Sequence, residues 1–284
     1  MSAADPALGR QIKGPSAIGT DPGRFWHLTR ALAVTEFKLR FFGSVLGYLW
    51  SVFRPLMIFG VLYFVFSRFV RLDVVPFYPE ALLFGIVLFG FFSEATKGSV
   101  TSLVQREPLV RKIEFPRLAV PLSVVLGALF NLGLNLLPVF AFLLIDGGSV
   151  RWSWLELPVL MAALAVFALG LGMLLSALFV RYRDIDPIWD VVLQVMFYAA
   201  PIFYPIELVL SKGKQFLAHA MMDNPFAALL QQSRHALFGP QHLSAEQAIG
   251  GWANLLEPLA VGVVVVALGA WVFARRAPRM AEEL

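Results

Sequence analysis

The chain has 284 residues, of which 58% are hydrophobic and only 15% charged, and its mean hydropathy is +0.73. Soluble domains are far less apolar, so the sequence predicts an all-α integral membrane protein. The chain has no cysteine, which excludes disulfides and thiolate metal sites. Its net charge of +4 is expected of basic residues at membrane edges under the positive-inside rule, and we expect no nucleic-acid partner.

The N-terminal region divides into a tail and a helix. Residues 1–23 contain several Gly and Pro residues and no apolar core, so we expect a flexible cytoplasmic tail and not a signal peptide. Residues 24–43 place His27, Arg30 and Lys38 among apolar residues at helical spacing, which favours an amphipathic helix in the cytoplasmic interface. A soluble helix or an extension of the first span fits the same pattern.

Six stretches of about 20 mostly apolar residues fit membrane-spanning helices. They cover residues 47–68, 78–99, 119–145, 156–180, 187–205 and 252–274. In this topology most Lys and Arg residues lie on one side, so both termini are predicted to be cytoplasmic. The transmembrane domain is expected at residues 44–274, followed by a cytoplasmic tail at 275–284.

The charged residues inside the predicted spans include Arg54, Glu94 and Lys97. Arg54 lies about two turns into the first span, where it can snorkel to the interface or face a wet portal for a diphosphate lipid head group. Glu94 and Lys97, three residues apart in the second span, are expected to neutralise each other on one helix face.

Residues 105–118, QREPLVRKIEFPRL, join the second and third spans. Pro108 suits the first turn of a short helix and Pro116 suits a position after its end. The helix between them combines an apolar face with a charged surround, formed by Leu109, Val110 and Ile113 and by Arg111 and Lys112. The pattern fits docking into a groove on a partner and a loop that only fixes topology equally well.

A second charged segment, RYRDIDPIWD, covers residues 181–190 on the same predicted side. Asp186 followed by Pro187 is a suitable N-cap and first-turn pair for the fifth span, so Asp186 needs no catalytic role. The remaining charged residues pair with one another or face the same partner as the first loop; they are Arg181, Arg183 and Asp184.

The outer segment 205–250 interrupts apolar stretches with charged residues, Gly and Pro. Two short helices that dip into the outer leaflet fit this pattern better than another span. The segment also contains three histidines, His219, His235 and His242. They lack a tight ligand spacing and supporting carboxylates, so we expect no metal site.

Several motifs carry a resemblance to a known family. They are GSVLGYLWSVFRPL at 43–56, VRKIEFPR at 110–117, RYRDI at 181–185, APIFYP at 200–205 and NPF at 224–226. With the preceding helix, and in this order, they resemble the membrane subunit of bacterial ABC-2 type polysaccharide exporters, which move lipid-linked O-antigen, teichoic acid, capsule or galactan. The resemblance covers nearly the whole chain from about residue 24. Arg54 departs from the apolar residue usual before Pro55 in that family.

The resemblance implies a homodimer of this chain with a channel at its interface, bound to two copies of a separate ATP-binding subunit. The sequence contains no G-x-x-x-x-G-K-[ST] motif, so ATP and Mg²⁺ are expected on the partner subunits and no cofactor on this chain. The resemblance also implies a role in coupling to the ATPase for the two charged segments, specifically for Leu109, Val110, Arg111, Lys112, Ile113 and Phe115, supported by Arg183 and Asp184.

Aromatic residues suggest how a glycan is moved. Their faces hold sugar C–H surfaces, and a sliding path needs weak, repeated contacts, although aromatic residues also face lipid in any membrane protein. The candidates for the substrate path are Tyr48, Trp50, Arg54, Tyr63, Trp189, Tyr198, Phe203 and Tyr204.

The expected function is therefore a non-enzymatic permease of the bacterial inner membrane, in contact with membrane lipid, that exports a lipid-linked polysaccharide. An ABC-2 type permease for a drug or a lipid is the alternative, because a fold does not fix its cargo. A membrane-embedded enzyme would need clustered acids or histidines at one membrane level, and the sequence shows no such cluster.

Overall fold

A computed structural model describes residues 17, 21–41, 47, 49–70, 75–111 and 115–280, and every regular element within these ranges is helical. This confirms the predicted all-α class. The α-helices in chain order are α1 Pro22–Phe41, α2 Leu49–Val65, α3 Tyr78–Gln105, α4 Glu107–Val110, α5 Ala119–Ile145, α6 Glu156–Phe179, α7 Ile185–Ala199, α8 Ile206–Ser211, α9 Gln215–Met222, α10 Pro225–Phe238, α11 Ala245–Ile249 and α12 Leu256–Arg276. A π-helical turn, Phe66–Val70, extends α2, and 3₁₀ turns, Trp152–Leu155 and Ala277–Arg279, flank α6 and α12.

Five helices are long and apolar enough to cross a membrane, and they contain α2, α3, α5, α6 and α12. They match five of the six predicted spans, and the third, 119–145, matches at both ends. The prediction of one continuous helix at 187–205 is wrong, because α7 ends at Ala199. Ala200 adopts an extended conformation before Pro201, as proline favours for the residue that precedes it. The 15 residues of α7 rise only about 22 Å, short of a hydrocarbon core of about 30 Å.

The central helix of the bundle is α3, which packs against α2, α5, α6, α7 and α10. Two thirds of the residues in its most apolar stretch are buried, whereas none in the corresponding stretch of α2 are buried. Phe92 of α3 is fully buried, stacks on Phe167 of α6 at 5.7 Å between ring centroids and lies 5.2 Å from the ring of Phe226 in α10. The apolar core is thus built around α3, and α2 is left at its edge.

Helices α6 and α12 run side by side in the same direction. Gly269 of α12 lies against Gly170 of α6, so closely that a Cβ at Gly269 would come within 2.0 Å of the Gly170 carbonyl oxygen. Farther along, Arg276 Nη1 donates a hydrogen bond to the Ala177 carbonyl at 3.3 Å. Because the two helices are parallel, residues 180–255 return the chain from one end of the bundle to the other.

The first part of this return runs antiparallel to α3. Lys97 near the end of α3 binds Asp186 at 2.9 Å, and the hydroxyl of Tyr78 at the start of α3 donates to the Phe203 carbonyl at 2.8 Å. From Lys97 back to Tyr78, α3 rises about 28 Å. Helix α7 and the extended residues after it therefore follow most of the length of α3.

The predicted N-terminal helix at 24–43 is present as α1. It packs against α5, where the rings of Phe37 and Phe130 lie 5.9 Å apart. Its Glu36 also binds Arg106, directly after α3, at 2.5 Å. Its location in the membrane interface stays a prediction. We call the end of the bundle where α3, α6 and α12 terminate the basic end, for its residues Arg106, Arg111, Arg181, Arg183, Arg275 and Arg276.

The segment 205–250 at the opposite end contains four helices, α8 to α11, and not the predicted two. The buried Arg234 of α10 fixes them to the bundle. Its guanidinium donates to the Pro201 carbonyl, to the Ile202 carbonyl at 2.6 Å and to the Ala81 carbonyl of α3 at 3.1 Å. One side chain thus joins α10, the extended residues after α7 and α3.

The glycine contact between α6 and α12 gives a test of the packing. Gly269→Ala places a methyl group against backbone that can yield only by separating the helices, and such overpacking costs about 1 to 3 kcal/mol. We expect a lower thermal unfolding temperature for this variant in detergent. In the control Gly262→Ala, also in α12, the added methyl lies 3.7 Å from Pro225, an ordinary contact. Equal unfolding temperatures for the two variants would contradict the close parallel packing.

Candidate functional site

A cavity of about 880 Å³ lies between α2, α3, α5 and α7. This volume falls within the range of about 300 to 1,000 Å³ typical of ligand pockets. Part of its wall is polar, formed by Ser51, Arg54, Ser93, Glu94, Lys97, Asn131 and Asn135. The rest is apolar and mainly aromatic or branched, formed by Trp50, Pro55, Ile58, Ile86, Val87, Phe89, Phe91, Leu132 and Phe197. A polar wall inside an apolar bundle is costly, which marks this cavity as the candidate site.

The α2 wall of the cavity is also an outer surface of the chain. Trp50 is 53% exposed, and Arg54 is exposed as well. No residue of α2 is buried, although the helix is apolar along most of its length. The cavity therefore opens along the side on which α2 has no covering helix within the described part of the chain.

The wall between α3 and α5 is a chain of hydrogen bonds. Asn131 Nδ2 donates to the Glu94 carboxylate at 2.6 Å, and Asn135 Nδ2 donates to the Asn131 carbonyl at 2.9 Å. The two asparagines lie four residues apart, on one face of α5, and so meet the same face of α3. The predicted pairing of Glu94 with Lys97 is wrong, because Glu94 turns to α5 while Lys97 turns to α7.

Two carboxylates of α7 bind Lys97. Asp186 lies 2.9 Å from its ammonium group, and Asp190, one turn later, also forms an ion pair with it. The predicted N-cap role of Asp186 is wrong, because α7 begins at Ile185 with Asp184 at the N-cap. Lys97 lies eight residues before the end of α3, or about 12 Å inside the basic end. The cavity wall is thus ionic well within the bundle.

The arrangement can hold a ligand that carries negative charge or many oxygens. Arg54 and the asparagine amides supply donors, and the guanidinium suits a phosphate or carboxylate. The aromatic residues opposite them offer flat apolar faces to a sugar or a lipid. These features suit binding of such a ligand.

The residues predicted for the substrate path do not share one site. Trp50 and Arg54 line the cavity, while Tyr48 lies outside the described residues. Trp189 is buried and donates to the Thr96 hydroxyl at 3.1 Å. The other four lie away from the cavity lining. Tyr63 stacks on Phe59 at 5.6 Å and Phe203 stacks on Phe66 at 4.9 Å. Tyr198 is exposed, and the hydroxyl of Tyr204 donates to the Ala199 carbonyl at 3.0 Å.

Four polar residues of the cavity have no site role in the sequence prediction. The prediction pairs Glu94 with Lys97 and gives no role to Asn131 and Asn135. A signal was present, because two amides four residues apart inside an apolar span share one face, and polar residues within spans usually have a function.

Three of the predicted coupling residues belong to or pack against one apolar cluster at the basic end. Val110 and Phe115 are buried in it together with Phe273 and Met280 near the end of α12, and Leu109 packs against it. The charged members face outward: Arg111 pairs with Glu107 at 2.8 Å, Arg183 lies over the ring of Phe179 at 4.9 Å, and Asp184 is exposed. Lys112 and Ile113 lie outside the described residues. The apolar contacts tie the loop to α12, and the coupling role itself stays a prediction.

Comparison with known proteins identifies the family. The sequence pattern of ABC-2 type transporters matches residues 27–238, which include α2 to α10 and the whole cavity. The chain belongs to the ABC-2 type transporter family. This confirms the family predicted from the motifs, and the match covers both charged segments of the basic end.

The relatives are permeases and transport proteins. An O-antigen export system permease protein RfbA of Klebsiella pneumoniae is 27% identical over 264 residues, which cover 92% of this chain and 96% of the relative. A protein of the same name from Myxococcus xanthus is 28% identical, over 89% of this chain and 94% of the relative. A polysialic acid transport protein KpsM of Escherichia coli is 22% identical, over 75% of this chain and 82% of the relative. The ABC-2 chain is thus similar to these proteins over most of its length.

The other end of the ABC-2 chain contains a buried histidine close to Arg234. His242 Nε2 donates to the Pro76 carbonyl at 3.0 Å, and the preceding histidine in the chain, His235, donates through Nδ1 to the His242 carbonyl at 2.7 Å. Burial, with a smaller contribution from the Arg234 charge, lowers the pKa of His242 to about 4, despite an opposing effect of Glu207. His242 is thus neutral in the folded protein.

This shift predicts a pH dependence of stability. Between about pH 4 and pH 6.5 an unfolded histidine takes up a proton that folded His242 refuses, so stability falls as pH falls through this window, by on the order of 3 kcal/mol in all. The thermal unfolding temperature of the wild type should therefore fall more between pH 7 and pH 4.5 than that of the His242→Gln variant. The exposed His27→Gln serves as control. A pH profile unchanged by His242→Gln contradicts the prediction.

Proposed function

We propose that the chain is the channel-forming permease of an ABC transporter that exports a lipid-linked polysaccharide, with ATP hydrolysed on a separate subunit. The observation that carries the proposal is the similarity, over 92% of this chain, to a permease named for O-antigen export. The cavity supports it, because a guanidinium, amide donors and aromatic faces suit a glycan attached to a diphosphate lipid. An ABC-2 type permease for a drug or lipid shares this fold and differs only in its cargo.

The topology that supports the proposal has six crossings. The parallel direction of α6 and α12 supports one further crossing between them, and α7 with the extended residues up to Phe203 follows α3 over most of its length. The positive-inside rule then assigns the basic end and both termini to the cytoplasm of a bacterial inner membrane. Helices α8 to α11 then lie at the outer end. There they would enter the outer leaflet and close the mouth of the channel.

A second copy of the chain supports the channel. Charged residues on a wall open to lipid are costly, and α2 exposes Trp50 and Arg54 on the side of the cavity opening. Tyr198 of α7 is also 60% exposed. A homodimer that pairs these faces would cover the polar wall and place two cavities along a common path for the glycan.

The basic end supplies the contact with the ATPase. Two copies of a nucleotide-binding subunit, holding ATP and Mg²⁺, would dock on the exposed charges of α4 and of the α6–α7 turn, such as Arg111 and Arg183. The buried members of the cluster, Val110 and Phe115, connect that surface to α12. A movement of the loop would thus reach a membrane span through apolar contacts.

The role of the cavity in export is tested at Arg54. If Arg54 binds the diphosphate head group, Arg54→Gln loses a charge-assisted contact worth about 1.5 to 3 kcal/mol, and export should fall about tenfold or more at normal protein level. The assay measures surface polysaccharide in cells that carry each variant as the sole copy. Arg68→Gln is the control, because Arg68 is exposed at the other end of the same span. Unchanged export by Arg54→Gln removes the portal role.

A further inference from the structure

Three side chains with metal-ligating atoms meet at the outer end, away from the cavity. His219 lies in α9, Asp223 directly follows α9, and Glu257 lies in the first turn of α12. One ligand atom from each lies within 4.8 Å of the other two. His219 Nε2 is 2.9 Å from Glu257 Oε2 and 3.6 Å from Asp223 Oδ1. The sequence predicts no metal site at His219 for lack of supporting carboxylates, whereas Asp223 and Glu257 supply two.

The histidine ring is oriented by a bond outside this triad. Its other nitrogen, Nδ1, lies 3.2 Å from the carbonyl oxygen of Ile249, the last residue of α11. A carbonyl only accepts, so Nδ1 carries a proton and Nε2 faces the two carboxylates. A ring nitrogen fixed in this way by a backbone carbonyl is the usual arrangement of a metal-binding histidine.

The centre of the triad favours a positive charge, because two carboxylate oxygens face Nε2. A proton on Nε2 satisfies the nearer one, Glu257 Oε2. Asp223 Oδ1 is buried and has no hydrogen-bond partner. A metal ion between the three atoms satisfies all of them at once, which a single proton cannot do.

The spacing of the atoms fits such an ion. Nitrogen and oxygen ligands at about 2.1 Å from a metal lie about 3.0 Å apart in an octahedral site and about 3.4 Å apart in a tetrahedral site. The two distances from Nε2, 2.9 and 3.6 Å, lie within a few tenths of an ångström of this range. All three side chains are a third to a half exposed, so an ion has a path from solvent and room for bound water.

We propose that His219, Asp223 and Glu257 bind one divalent transition-metal ion, of which Zn²⁺ is the representative. An imidazole ligand favours Zn²⁺ and its neighbours, whereas Mg²⁺ and Ca²⁺ prefer oxygen ligands alone. The ion joins α9 to the start of α12 and, through the Ile249 carbonyl, orients the end of α11. It is a clamp between the outer helices and the last span, and it is independent of the cargo.

Zn²⁺ binding to the purified, full-length chain tests the site. The protein is prepared without a polyhistidine tag, stripped with a chelator and titrated with Zn²⁺ or Mg²⁺ in a calorimeter, and thermal unfolding is followed in parallel. We expect one Zn²⁺ per chain, a higher unfolding temperature with Zn²⁺, and no comparable effect of Mg²⁺. His219→Gln and Glu257→Gln should each weaken Zn²⁺ binding about tenfold or more.

The controls are a histidine and an acid outside the triad. His27 lies in α1 and Glu246 lies in α11. The variants His27→Gln and Glu246→Gln should both bind Zn²⁺ like the wild type. If His219→Gln does not fold, Glu257→Gln decides the test, because Glu257 is 54% exposed. No Zn²⁺ bound by the wild type, or equal binding by wild type and Glu257→Gln, overturns the proposal and leaves an ion pair only.

Discussion

Charged and polar groups inside an apolar surround must be satisfied by the chain itself, and α3 is where this requirement shapes the structure. Toward the basic end, Lys97 binds two carboxylates of α7. Toward the other end, Arg234 bonds to the Ala81 carbonyl of α3 and to the carbonyls of Pro201 and Ile202. These two attachments hold residues 186–203 along α3, although the helix ends at Ala199. The extended carbonyls that a broken helix leaves inside the bundle are the ones that Arg234 satisfies.

The candidate site follows from the same requirement. Because Lys97 is directed to α7, Glu94 is left to accept from Asn131 of α5, and the space between α2, α3, α5 and α7 acquires a polar wall. Helix α2 borders that space without covering it. The proposed function uses this incomplete enclosure, since a second copy can close the opening and a bulky glycan lipid can enter where a sealed bundle would admit nothing.

Much of the fold could be predicted from the sequence, because long apolar stretches and basic loops report directly on spans and their ends. The predicted bounds of the third span agree with α5 at both ends, and the predicted bounds of the N-terminal helix differ from α1 by two residues at each end. The errors concern partners distant in sequence: reasoning about one helix paired Glu94 with Lys97, while Asp186 and Asp190 arrive from α7. Glu257 likewise reaches His219 from another helix. The apolar composition of 187–205 concealed the break that Pro201 imposes on the fifth predicted span.

In the proposed function, the ATPase that drives this permease is a separate subunit. The most direct measurement is to purify the chain in mild detergent from its native membranes and to identify what remains bound in stoichiometric amount. We predict a P-loop ATPase in equal amount, whose hydrolysis becomes uncoupled from export in the exposed-loop variant Arg111→Glu but not in Lys212→Glu at the other end. A chain that purifies alone, from membranes whose export needs no ATPase, would contradict the account.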